Sequence, residues 1–381
     1  MKEAHSYLPE ADKLHLSRLM VSASAIRHNL SFFRQLLAKE TGIMLVVKAS
    51  AYGNGALEIA QLVQEEKLVE YLAVADVDEG IELRKAGIEL PILILNPSRL
   101  AFQELVEYCL EPEIHHLSLL VDFEAYLCAA KLNQGNYPVH LKFNTGMNRF
   151  GLELNELEQV KSLIKNRKGW EVRSVMTHLS CSGDPSEDEF SLKQLSLFKE
   201  VVESLKTLLP DSCFFHPLNS DGIFRFPEHH YQMVRLGIGV YGATSVPALK
   251  KQLKPVCRFT CRISQTRKVK KGASIGYGRK GMAEKDTNIA TLAIGYADGL
   301  NRNLSDGRWQ VEINQKLYPI IGTICMDITM VDLGDDWYEP QTEVTIFGGV
   351  NDIHEYAKAQ GTITYEAMTN ISARVKRMLI D

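Results

Sequence analysis

A (β/α)8 barrel of the TIM type followed by a mainly β C-terminal domain is the fold predicted by this 381-residue sequence. Three observations carry that prediction. Between about residues 40 and 240, eight short apolar runs recur with little internal alternation. Longer stretches with apolar residues at three- and four-residue spacing separate them. After about residue 245 that helical spacing stops.

The eight runs, in order, are IMLVVK (43–48), YLAVA (71–75), PILIL (91–95), LSLLV (117–121), VHLKF (139–143), SVMTHL (174–179), CFFHPLN (213–219) and MVRLG (233–237). Segments such as NGALEIAQLVQEEK, DEGIELRKAG and EDEFSLKQLSLFKEVVESLKTLL lie between them and read as amphipathic helices. Continuous apolar strands alternating with helices describe a parallel sheet covered on both faces. Eight such units match a closed barrel. A doubly wound open sheet lacks its usual support, because no G-x-G-x-x-G follows the first strand. Past residue 245, CRFTCRISQTRKV, NIATLAIGYA, WQVEINQKLYPIIGTICMDITMVDL and EVTIFGG are short β-branched runs punctuated by Gly, Asp and Asn. YEAMTNISARVKRMLID mixes a short helix with a strand. The expected organisation is an N-terminal tail over 1–12, a barrel over 13–245 and a β-rich domain over 246–381.

Composition narrows the function classes. Hydrophobic residues make up 45% and charged residues 24%, which is ordinary for a globular protein. A net charge of −4 favours neither nucleic acid nor anionic lipid as a partner. No apolar run reaches the ~18–20 residues of a membrane span. The charged, mixed start resembles neither a signal peptide nor a transit peptide. Seven scattered cysteines without a Cys-x-x-Cys pair fit a reducing cytoplasm better than a disulfide framework.

In such a barrel the reacting groups gather at the carboxyl ends of the strands. Those ends offer Lys48, His178, Asn219 with Ser220, and Arg235. A desolvated lysine loses proton affinity and becomes the nucleophilic amine that pyridoxal phosphate or another carbonyl requires. A lysine snorkelling from the rim is the alternative. Asn219-Ser220 and the RLGIGVYG segment, with Gly237 and Gly239, fall where this fold binds phosphate. A lone His178 is more commonly structural, whereas Arg235 at a strand end needs a fixed acceptor. Lys142 and Arg149 flank a glycine-containing turn and would suit an anionic substrate, or else a solvated loop. In the β domain, IGYGR (275–279), IGYADG (294–299) and CMD (325–327) stand out. Asp298 and Asp327 have no His or Cys at ligand spacing, so no metal is expected.

Taken in order, VVKASAYGNG, FNTGMNRFG, THLS, HPLNSDG, RLGIGVYG, SIGYG, IGYADG and CMD resemble the motifs of the alanine racemases, fold type III pyridoxal-phosphate enzymes, across about 280 residues. The resemblance implies that Lys48 holds the cofactor as an aldimine and serves as one base. Tyr277 would be the base on the opposite face of Cα, with His178 and Arg235 as its relay and Arg235 donating to the pyridine nitrogen. Tyr52, Asn219, Ser220, Gly237, Ile238 and Tyr241 would hold phosphate and ring, together with His178. Arg149 and the Met326 amide would bind the substrate carboxylate, Tyr296 and Arg302 would line its approach, and Lys142 matches a lysine often carbamylated in this family. A cytoplasmic homodimer with composite sites, making D-alanine for peptidoglycan, is implied as well, with the 1–12 tail packed on the β domain. Four positions depart from the pattern: Ser50, Asn54, Asn144 and Ala373. The small Ala373 would widen the pocket and leaves substrate breadth open. A decarboxylase of basic amino acids, or a non-catalytic cofactor carrier built on a lone barrel, are the competing readings. GYADG, CMD and the lack of a matching cysteine–aspartate segment argue against the first, and the long β domain with Tyr277 against the second.

Overall fold

The computed structural model describes residues 16–381; the tail expected at 1–12 lies outside them. The described residues form two compact units, one spanning Ser24–Lys254, the other joining Pro255–Asp381 to residues 16–23.

The strands, in chain order, are β1 (Arg18–Ser22), β2 (Gly42–Val46), β3 (Tyr71–Val74), β4 (Ile92–Ile94), β5 (Glu111–Ile114), β6 (Tyr137–Lys142), β7 (Trp170–Met176), β8 (Phe214–His216) and β9 (Met233–Leu236). There follow β10 (Cys257–Val269), β11 (Ser274–Ile275), β12 (Gly281–Met282), β13 (Thr287–Leu292), β14 (Gln310–Ile313), β15 (Lys316–Pro319), β16 (Thr329–Gly334), β17 (Glu343–Phe347) and β18 (Lys376–Ile380).

Strands β2 to β9 make one eight-stranded sheet in the order β8-β7-β6-β5-β4-β3-β2-β9. Every pairing along that order is parallel, for example Met44 opposite Tyr71 and Met44 opposite Arg235. The Arg235 amide donates to the Leu218 carbonyl at 3.1 Å, joining β9 to the chain just after β8 at the other end of that order. This is the barrel that the apolar runs predict. Ile43, Leu45, Leu72, Leu93, Leu141 and Val175 are fully buried and face the covering helices or the interior.

One expected strand is wrong. LSLLV (117–121) is not a strand but opens the helix Leu117–Ala129, whose first turn is capped by His116 Nδ1 accepting from the Leu119 amide at 3.0 Å. Leu119, Leu120, Phe123 and Leu127 form its buried face, a helical spacing. The fourth barrel strand is instead EPEI, Glu111–Ile114, which no search for apolar runs could find.

The unit boundaries also move. The segment RLMVS, expected inside a barrel starting at 13, pairs antiparallel with β10 and parallel with β18 and so belongs to the β unit. The barrel unit extends to Lys254 rather than 245. Around β10, the β unit builds a sheet with path β15-β14-β17-β10-β1-β18, joined by β13 and β16. It also carries the helices Ile353–Gln360 and Thr364–Thr369, the second foreseen in the sequence.

Candidate active site

Lys48 follows β2 and begins an unusual turn. Ala49, Ser50, Ala51 and Tyr52 all have φ between 51° and 55°, a left-handed turn of four non-glycine residues, closed by Gly53 at 84°. Each such residue costs about 1–2 kcal/mol, so the turn needs external support. It receives it from the Ala51 and Gly53 amides, which donate to Val47 and Ala49 carbonyls at 2.8 Å. Glu79 Oε1 accepts from the Ala49 amide at 2.6 Å while its Oε2 accepts from Ala75 at 2.7 Å. The turn therefore fixes Lys48 against the loop after β3. Burial first, and then the nearby Arg149 charge, hold the Lys48 amine below its usual value. A lowered amine pKa is what carbonyl chemistry needs.

Tyr52 ends the same turn, buried with its ring 5.1 Å from that of Tyr241, and burial pushes its phenol up to about 12. The Tyr241 hydroxyl donates to the Val46 carbonyl at 2.9 Å, tying the segment after β9 to β2. Ser220 Oγ accepts from the Gly237 and Gly239 amides at 2.9 and 3.2 Å, leaving its hydroxyl proton to donate. A Cβ on Gly237 would sit 2.6 Å from the Tyr52 hydroxyl, so only glycine fits there. Asn219 behaves differently from its neighbour. Its Oδ1 accepts from the Gly222 amide at 3.1 Å and the Ser182 hydroxyl at 2.6 Å, capping the short helix Ser220–Arg225.

Arg235 is buried, and among the described residues no carboxylate contacts it. Its guanidinium donates to His216 Nδ1 at 2.9 Å, the His216 carbonyl, the Thr177 carbonyl at 2.5 Å and the Pro217 carbonyl at 3.1 Å, with His178 Nδ1 at 3.4 Å. All of these use its two terminal nitrogens, not Nε. Burial lowers its pKa to about 10, with the Glu113 charge opposing the shift. Burial, and after it the Arg235, Lys142, Arg149 and Lys48 charges, keep His178 neutral far below its usual value. The strand-end cations thus converge electrically on one imidazole, and an anionic ligand suits such a place.

Lys142 points into the barrel, where its ammonium donates to Glu113 Oε1 at 3.0 Å. Burial pushes the fully buried Glu113 carboxyl up, and the Lys142 charge resists. Arg149 is exposed. Its loop is set by Asn144, whose Oδ1 accepts from the Gly146 and Asn148 amides at 3.1 and 3.0 Å. An amide oxygen does this as well as the carboxylate of the family's pattern.

In the β unit, Tyr277 opens the turn Tyr277–Arg279 between β11 and β12 and is 74% exposed. Met326 is 54% and Tyr296 42% exposed. The Tyr296 and Ala297 amides donate to the Cys325 and Met326 carbonyls at 3.0 Å, which brings IGYADG and CMD together. Arg302 lies on the exposed turn Arg302–Leu304. Arg374 takes Asp298 at 2.7 and 3.0 Å and Asp327 at 2.8 Å. Among the described residues no cluster could hold a metal ion.

Sequence reasoning missed Glu79, Glu111, Glu113, His140 and His216. Glu111 and Glu113, like His140 and Lys142, are two residues apart and so share the inner face of a strand. That two-residue polar spacing was the available signal.

Two family models match this chain: the alanine racemase N-terminal domain over residues 21–245 and the alanine racemase C-terminal domain over 256–379. The alanine racemase of Treponema denticola is 37% identical over 97% of this chain and 99% of its own length. That of Carboxydothermus hydrogenoformans is 38% identical over 94% and 98%. Among solved structures, alanine racemase from Clostridium difficile 630 superposes with a TM-score of 0.88 at 31% identity, covering 96% of this chain and 97% of that one. Alanine racemase from Bartonella henselae with covalently bound pyridoxal phosphate gives 0.84 at 29% identity, covering 96% and 99%.

Proposed function

The chain belongs to the alanine racemase family, pyridoxal-phosphate-dependent isomerases, and from that premise we propose that it interconverts L- and D-alanine with Lys48 and Tyr277 as opposed bases. The observation that carries this reading is Lys48 itself, a part-buried amine of lowered pKa on a braced left-handed turn.

The residues present suit the cofactor. Lys48 offers the amine, Ser220 offers the hydroxyl proton that the Gly237 and Gly239 amides leave free by donating to its Oγ, and Arg235 offers an Nε–H with no carboxylate of the described residues against it. Tyr52, Ile238 and Tyr241 would flank the ring, His178 would stand beside it, and Asn219 would shape the phosphate loop as a cap. When bound, pyridoxal phosphate supplies an electron sink that acidifies the substrate α-proton. An arginine in place of a carboxylate discourages full protonation of the ring nitrogen and so limits side reactions.

Lys48 Nζ takes or returns the proton on one face, and the Tyr277 phenol oxygen on the other, because inversion needs a proton carrier on each face. Arg149 and the Met326 amide bind the substrate carboxylate, with Tyr296 and Arg302 along its approach. Lys142, whose Nζ meets Glu113 Oε1, is the residue proposed for carbamylation. Exposed Tyr277, Tyr296 and Met326 are supplied to a second copy of the chain, giving a homodimer with composite sites. D-alanine for peptidoglycan is the product, and the cytoplasm is where seven unbridged cysteines persist.

Incubation with L-alanine in heavy water, followed by chiral analysis, tests the reading. Deuterated alanine of both hands is expected. Label confined to one hand, or release of carbon dioxide from basic amino acids instead, would overturn it.

A further inference from the structure

Barrel interiors are commonly filled by branched apolar side chains, yet this one holds a chain of polar groups that passes from β5 through β6, β7 and β8 to β9, with Tyr71 of β3 joining it across β4. Tyr71 on β3, Glu111 on β5, His140 on β6, Ser174 on β7, His216 on β8 and Arg235 on β9 are all buried, the middle three completely. Tyr71 Oη and His140 Nε2 lie 3.1 and 2.7 Å from Glu111 Oε2. His140 Nδ1 is 2.6 Å from Ser174 Oγ, which is 2.7 Å from His216 Nε2. His216 Nδ1 meets Arg235 Nη1 at 2.9 Å. No atom of these side chains is among the buried polar atoms left without a partner.

The protons in this chain can be assigned by counting donors and acceptors. An arginine only donates, and an ionised carboxylate only accepts. Arg235 therefore requires a lone pair on His216 Nδ1, which puts that ring's proton on Nε2, donating to Ser174. The serine hydroxyl then donates to His140 Nδ1, and His140 donates from Nε2 to Glu111. Read from the carboxylate end, the order is the same. A doubly protonated His140 would leave the Ser174 hydroxyl with no acceptor in a site closed to water.

We infer that Glu111 is a positioning residue for Arg235, acting through a one-way hydrogen-bond chain that keeps the Nδ1 lone pair of His216 turned to the guanidinium. This rests on the racemase reading only for its catalytic consequence; the proton arrangement stands apart from it. Without an acceptor at 111, His140 is left with a stranded N–H. Its cheapest repair is the other tautomer, which reverses Ser174 and sets a His216 N–H against Arg235. Burying an unmet donor is costly enough to drive that reversal in part of the molecules.

The test is two-bond ¹H–¹⁵N correlation on histidine-labelled protein. Both His140 and His216 should show a bare Nδ1 and a protonated Nε2. Glu111→Leu should move His216 Nδ1 toward the protonated position, and Glu111→Gln, which keeps an acceptor, should restore it. In the loaded enzyme Glu111→Leu should lower kcat about tenfold with KM for L-alanine little changed, and Glu111→Gln should recover most of it. If Glu111→Leu does not fold, Ser174→Ala cuts the chain by one hydroxyl, and the His216 Nε2 proton should lose its downfield shift. A His216 proton on Nδ1 in the unsubstituted protein, or a His216 signal indifferent to these changes, overturns the inference. Those NMR results hold even if racemisation is absent, so the two readings fail separately.

Discussion

The two units hold their candidate residues in opposite ways. In the barrel unit Tyr241 is 1% exposed with its hydroxyl on the Val46 carbonyl, and Arg235 and Lys142 are buried on named partners. In the β unit Tyr277 is 74% exposed, and Met326 and Tyr296 are half open. The barrel groups have their acidities shifted by burial within their own unit, whereas the β-unit groups are open to solvent. Burial tunes a group before substrate arrives; an exposed group keeps its solution character.

The sharpest way to break this contrast is to damage one group of each kind. Lys48→Ala should abolish racemisation and the cofactor's bound absorption, and Tyr277→Phe should keep the absorption but lose most turnover. Mixing the two inactive proteins under subunit exchange should recover activity, because one site of each hybrid carries both intact residues. No recovery in verified hybrids would mean that the exposed tyrosine is not completed by a second copy.

Ion pairs give the next largest difference. Glu113→Ala strands the buried Lys142 ammonium and should cost about 3–5 kcal/mol in urea unfolding. The β-unit pair Arg258–Glu343, 2.8 Å apart with side chains 42% and 37% exposed, should lose only about 0–1 kcal/mol on Glu343→Ala. Equal losses would erase the distinction between the interiors.

Acid should act on the barrel first. His216 and His178 are held well below their ordinary 6.5 by burial and by Arg235. Below pH 6.5 the unfolded chain takes up protons that the folded rings refuse, so stability falls as pH falls. The slope is about 1.4 kcal/mol per pH unit for the fully buried His216, less for His178, whose edge meets solvent. In a protein with Trp309 and Trp337 changed to Phe, the remaining Trp170 lies in the barrel unit and reports its urea midpoint. That midpoint should drop between pH 7 and pH 5 and recover at pH 7; a flat profile would show that these rings titrate normally.

How much of this was legible in the sequence follows the same division. Seven of the eight barrel strands overlap apolar runs, because their outward faces pack under helices. EPEI escaped because its inward face is charged, and LSLLV misled because one turn of an apolar helix reads like a strand. Lys48, Ser220 and Arg235 were visible as strand-end residues. Glu113 and Glu111 were not, since their two-residue spacing is the only local signal, and it marks an inward face only once Lys142 and His140 arrive from β6. RLMVS looked like barrel for a related reason: its partners β10 and β18 lie more than 200 residues away in sequence. The β-unit motifs were readable only as turns, and their exposure is a fact of folding rather than of pattern.

The smallest effect separates two left-handed positions. Ser50 has φ 53° in the turn after Lys48, and Gln315 has φ 65° in the two-residue hairpin between β14 and β15. Both are exposed, and neither side chain has a hydrogen bond among those described. Glycine at either site removes a left-handed penalty of about 1–2 kcal/mol and adds unfolded-state entropy of about 0.5–1 kcal/mol. Ser50→Gly and Gln315→Gly should therefore each stabilise by about 0.5–1 kcal/mol in urea unfolding. The hairpin has no chemistry to lose, so Gln315→Gly should leave turnover as it was. A glycine at 50 also admits right-handed conformers beside Lys48, and a few-fold lower kcat with unchanged total cofactor binding is expected. Unchanged kcat in Ser50→Gly would mean that Glu79 and the turn's own amides, not the narrow choice of backbone angles, hold the lysine in place.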